Sequence, residues 1–102
     1  MNKISEMERL MRLLDAAHIP YEVVTQWNGY PQLWYPHPGT PFADLTDVVC
    51  SPFTYGGRQG LLEIAGPLCR NDMDNVEGWL SGMEVFLRIA EDYYRKTHKE
   101  RG

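Results

Sequence analysis

DVVCSPFTYGGRQGLLEIA, residues 47–65, reads as a strand, a turn and a strand. Asp47-Val48-Val49-Cys50-Ser51 is short, apolar and β-branched, which suits a pleated surface. Pro52 pushes its end to an edge or a bulge, because proline has no amide proton for the ladder. Leu61-Leu62-Glu63-Ile64-Ala65 is a second such run, closed by Gly66-Pro67. Between them lies Tyr55-Gly56-Gly57-Arg58-Gln59-Gly60, with three glycines in five positions. Those glycines let the backbone turn sharply and come close to another group.

Upstream, Tyr21-Glu22-Val23-Val24-Thr25 reads as a strand. Asn28-Gly29 supplies a hairpin signal, and Gln32-Leu33-Trp34-Tyr35 is the partner. Pro36, Pro38, Gly39 and Pro41 make the next segment an irregular loop. Residues 4–17 read as an amphipathic helix, with Ile4, Met7, Leu10, Met11, Leu14 and Ala17 on one face. Ser5 and Glu8 form a possible capping box, and Pro20 stops the helix. Downstream, residues 70–79 read as a polar connector. Ser81-Gly82-Met83-Glu84 is a capping box with Leu80 and Val85 as its hydrophobic staple. The helix it opens runs to about His98.

The order is thus helix, four strands, helix. It predicts a single α+β domain over residues 1–102. Its four-stranded, mostly antiparallel sheet carries the N-terminal and C-terminal helices on one face, as a two-layer sandwich. An aromatic-rich sheet with no second covering layer predicts a homo-oligomer.

A chain of 102 residues holds one modest core. Its net charge of −4 argues against general binding to duplex nucleic acid, which relies on neutralising phosphates. Asp72, Asp74 and Glu77 read as one acidic loop. Arg95, Lys96, Lys99 and Arg101 read as a helix C-terminus matched to its dipole. Cys50 and Cys69 have no metal-ligand spacing. Residues 1–6 lack the apolar core of a signal peptide, and no run is long enough to span a membrane. A cytoplasmic protein with reduced thiols is expected.

No constellation reads as catalytic. The glycine loop is no Walker loop, since no Lys-Ser/Thr follows, and no dinucleotide fingerprint, since a strand follows. Residues 71–75 fail the calcium-loop pattern. His18, His37 and His98 show no mutual spacing. The helix, His18–Glu22, Asp47 and Glu63-Ile64-Ala65 loosely follow the order of the PD-(D/E)xK nucleases. Ala65 stands where that family has a lysine, so an inactive relative is the stronger form of this reading.

Leu13 to Glu22 (LLDAAHIPYE), Tyr35-Pro36, Asp47 to Ser51, Tyr55-Gly56-Gly57, GLLEIAG from Gly60 and VEGWLSGMEVF from Val76 together resemble small prophage proteins of Firmicutes. Those proteins more often carry Leu-Glu-Ile-Met-Gly, where this chain has Ala65, and a different start to the last helix. The resemblance implies a phage or prophage origin and carries over no catalytic residue. By class analogy, it points to stoichiometric sponges that bind nucleotide signals of bacterial immunity. The expected partner is then a small-molecule nucleotide, with no cofactor. Tyr55 and one of Trp27, Trp34 or Tyr35 would stack on it. Gly56 and Gly57 would offer amides to a phosphate, beside Arg58 and Gln59. The rival reading is an inhibitor that docks on a host or phage protein.

Overall fold

The computed structural model describes residues 4–36, 44–54, 56–70 and 75–98. The first helix, α1, spans Glu6–Ala16. Ser5 caps it, its hydroxyl accepting from the Glu8 amide at 3.0 Å. Its far end closes as a Schellman motif. The Ile19 amide reaches back to the Leu14 carbonyl at 3.0 Å and the His18 amide to that of Asp15 at 3.1 Å. This wrap puts His18 at φ 58°, where an exposed side chain gains nothing and meets its own backbone. His18→Gly is therefore expected to stabilise the fold by about 0.5–1 kcal/mol. Urea unfolding would show it, and an unchanged or lower midpoint would contradict it.

Five strands follow: β1 (Glu22–Thr25), β2 (Pro31–Tyr35), β3 (Thr46–Val49), β4 (Leu62–Ala65) and β5 (Val76–Leu80). They form one antiparallel sheet in chain order. The second helix, α2, spans Gly82–His98. The class is α+β as the sequence predicts, but the sheet has five strands, not four. Residues 76–79 of the segment read as a connector, together with Leu80, are the fifth. β5 pairs with β4 through Ala65–Val76, Ile64–Glu77 and Leu62–Leu80, with a bulge between the last two pairs. Glu77 accordingly lies in a strand and not in an acidic loop. Asp72 and Asp74, like His37, Lys99 and Arg101, lie outside the described residues.

Period-two alternation sorts the sheet's side chains. Leu33 and Tyr35, Val48, Leu62 and Ile64, and Leu80 join Met7, Leu10 and Leu14 of α1 and Val85 and Ile89 of α2 in one buried cluster. Each fully buried aliphatic there stabilises the fold by roughly 1.5–3 kcal/mol. The alternate residues Gln32, Trp34, Asp47, Glu63, Ala65 and Val76 are half-buried.

The helices meet at their starts. Ser81 and Glu84 exchange side-chain-to-amide bonds at 3.0 and 3.1 Å, the expected capping box. Glu6 adds a contact the sequence does not show, its Oε1 accepting from the Gly82 amide at 2.7 Å. A carboxylate at a helix N-terminus also meets the positive end of the dipole. The two backbones come so close that a Cβ on residue 82 would lie 2.5 Å from the Glu6 carbonyl oxygen.

Candidate functional site

The sheet has two ends. At one lie the β1–β2 turn, the glycine loop and the start of both helices. At the other lie residues 66–70, Asn75 and the start of β1.

The glycine loop is built on its own carbonyls. Gly57–Gln59 form a single 3-10 turn between Gly56 and Gly60, both left-handed. The Gly57 amide donates to Thr54 O at 3.0 Å, that of Gln59 to Gly56 O at 3.1 Å and that of Gly60 to Gly57 O at 2.9 Å. The Leu61 amide also takes Gly56 O, at 3.0 Å. The expectation that Gly57 offers its amide to a phosphate is therefore corrected, since that donor is already used. Arg58 and Gln59 are exposed, and Tyr55 lies outside the described residues.

Among the described residues, the aromatic rings named from the sequence do not converge. Tyr35 is 2% exposed and belongs to the core. Its hydroxyl donates to Asp92 Oδ2 at 2.9 Å, and Lys96 Nζ lies 3.0 Å from the same oxygen. Burial and that carboxylate push the Tyr35 phenol well above its ordinary range. Tyr35 is thus excluded as a stacking ring. Trp34, its neighbour on the strand, points to the opposite face and pairs across the sheet with Asp47, at the end away from the glycine loop. Trp27 lies at the loop end and is 96% exposed.

Two rings not chosen from the sequence do reach the loop. Phe53, 83% exposed, and Trp79, 58% exposed, line one recess of about 240 Å³ with Pro52, Thr54, Gly56, Arg58 and Gln59. Gly56 explains why Trp79 is there: a Cβ on it would lie 2.9 Å from Trp79 Cα, so the loop rests directly on β5. Trp79 itself sits at φ 62° in the irregular part of the β4–β5 pairing. A large residue held in a left-handed conformation is strained, and such strain concentrates at working sites.

The nuclease-like carboxylates also have a definite geometry. Asp47 faces Ala65, and Glu63 faces Val49 one step along. Both carboxylates are therefore on the same face of adjacent strands, with a methyl group where a lysine would supply charge. Among the described residues no group of three or more His, Cys, Asp or Glu is placed to hold a metal ion. Burial pushes both thiols, Cys50 and Cys69, above their ordinary range and so keeps them protonated. Among the described residues no helix is long and apolar enough to cross a membrane.

Fold and site together define an α+β domain with an open antiparallel meander and an aromatic–arginine recess at one end. No protein family, curated protein or solved structure matches the chain.

Proposed function

We propose that this chain is a non-catalytic nucleotide-binding protein whose ligand sits in the recess beside the glycine loop. One observation carries the reading: two exposed rings, Phe53 and Trp79, share that recess with the Arg58 side chain. Either ring gives a base a flat apolar face, worth roughly 1–3 kcal/mol per stack. Arg58 gives a phosphate a forked cation, which an acidic protein needs locally to hold an anion. In the setting that the sequence resemblance implies, the protein acts stoichiometrically. It is a homo-oligomeric phage accessory protein that sequesters a cyclic nucleotide immune signal in the cytoplasm of the host.

The test is a calorimetric titration with mono-, di- and cyclic dinucleotides, followed by heating and recovery of the ligand. Arg58→Ala is expected to weaken binding about tenfold or more, in line with ~1.5–3 kcal/mol for a hydrogen bond to a charged group. The nucleotide should return unmodified. Equal binding by the variant, or a linear product from a cyclic ligand, overturns the reading.

A protein-binding inhibitor is the second reading, and Trp27 favours it. A ring 96% exposed at the same end of the sheet as Phe53 extends the aromatic surface beyond what a small ligand covers. Stable co-purification with one host protein, without any nucleotide response, would select it.

A further inference from the structure

The open face of the sheet carries a second recess, at the opposite end from the glycine loop. Trp34, Asp47, Ala65 and Val76 stand in one row across β2, β3, β4 and β5, each directly opposite the next. Ala65 is the smallest of the four, so the row dips between Asp47 and Val76. Leu45, Gly66, Pro67 and Asn75 raise the rim, and the hollow measures about 350 Å³. Among the described lining residues, Asp47 and Asn75 bring the polar side chains, beside the indole N–H of Trp34.

Asp47 is the anomaly in this hollow. It is a half-buried carboxylate, and no lysine or arginine is among the described lining residues. Gln32 Nε2 donates to its Oδ2 at 2.8 Å and fixes its orientation from the neighbouring strand. That side-chain amide and a bond from the Asp47 backbone amide are partial compensation, because an ionised carboxylate accepts at about four lone-pair sites. Burial outweighs both and pushes the Asp47 carboxyl above its ordinary value. A carboxylate held in that state gains most from a partner with two parallel N–H donors. Trp34 stands beside it in register and lines the same hollow, so a ring stacked on the indole would have an edge within reach of Asp47.

We propose that this recess binds a flat ring carrying a fork of two N–H donors, stacked on Trp34 with the fork on Asp47. An amidinium on an aromatic ring has that edge, and so does guanine, through its ring N–H and its amino group. Adenine does not: a ring acceptor stands beside its amino group and faces the carboxylate with a lone pair. The site is separate from the glycine-loop recess and does not depend on the function proposed for it.

Benzamidine, guanosine and adenosine are the probes, titrated into the intact protein while the tryptophan indole N–H resonances are followed by NMR. Trp34→Phe assigns its resonance. Benzamidine or guanosine should shift the Trp34 signal, and adenosine should not. A response to benzamidine alone identifies the ligand as a planar cation, and a response to guanosine identifies it as a base. Asp47→Asn keeps the volume and the bond from Gln32, and it should weaken the responding probe about tenfold or more. Its thermal midpoint should not fall, which separates lost binding from lost folding. The assignment is overturned if neither forked probe binds at millimolar concentration, or if adenosine binds equally well. It is also overturned if Asp47→Asn binds like the parent, or if Arg58→Ala abolishes the response and so moves the probe to the other recess.

Discussion

Gly57→Ala is expected to destabilise the fold by about 3 kcal/mol, at the upper end of what overpacking costs. In a domain of this size that lowers the thermal midpoint by about 15 °C. The cause is space. A Cβ on residue 57 would overlap the Ser51 carbonyl and crowd Thr54 Oγ1. Neither can move freely. Ser51 O accepts from both the Thr54 amide, at 3.1 Å, and the Thr54 hydroxyl, at 2.9 Å. Thr54 Oγ1 in turn accepts from the Ser51 amide at 3.0 Å. Relief would require opening this closed turn at the end of β3. Gly60→Ala is the matched control. That residue sits at φ 79° with nothing within 4 Å of the added atom, so it carries left-handed strain alone, about 1 kcal/mol. Thermal unfolding of the two variants decides the matter. Equal shifts would mean that the loop needs glycine for its dihedral angles and not for its close packing.

The same loop shows how far the sequence could be read. Its glycines announce a turn and a close approach, and both are present. What they approach is the chain itself: Gly57 meets Ser51, and Gly56 meets Trp79. Composition cannot distinguish a backbone that makes room for a ligand from one that makes room for its own next strand. Strands β1 to β4 and both helices were legible because each has a local signal. β-branched alternation marks β3, and the Ser81–Glu84 box marks the start of α2. β5 has no such signal. Val76-Glu77-Gly78-Trp79 holds a glycine and follows a run of Asn and Asp, so it reads as polar linker, and Leu80 reads as the staple of the helix after it. Its strand conformation comes from pairing with β4 and from Arg88, eleven positions away on α2, which holds Glu77.

The missed strand also explains the missed recess. Trp79 reaches the glycine loop only because β5 lies beside it, so no reading without β5 could place the two together. Phe53 was passed over in favour of the rings at 34 and 35. Adjacent residues on a strand face opposite ways, so Trp34 and Tyr35 could never both reach one ligand. Which of them is buried was not local information. It is set by Asp92, 57 positions later, which takes the Tyr35 hydroxyl.

Glu77→Gln is expected to cost about 3 kcal/mol at neutral pH, and that cost should vanish in acid. Arg88 grips Glu77 with both nitrogens of its guanidinium, at 2.5 and 2.7 Å, in a partly buried setting. The Arg70 amide adds a bond to Glu77 Oε1 at 2.8 Å. Arg88 is the main reason that the Glu77 carboxyl falls from 4.5 to about 2, with burial opposing and Arg70 assisting. A depressed carboxyl stabilises the fold above its unfolded pKa and stops doing so as pH falls toward its folded one. About 1.4 kcal/mol per unit gives the stated size. Wild type should therefore shed this stability between about pH 5 and pH 2, while the glutamine variant, which has no proton to take up there, should not. Asp47 cannot imitate the effect, because its carboxyl is shifted upward and its contribution has the opposite sign. Urea unfolding of both proteins at several pH values measures the gap directly. A gap that closes in acid assigns the contact to charge. A gap that stays constant from neutral pH to about pH 2 would mean that the amide disturbs packing against Arg88, and the ion pair would then hold β5 to α2 by shape alone.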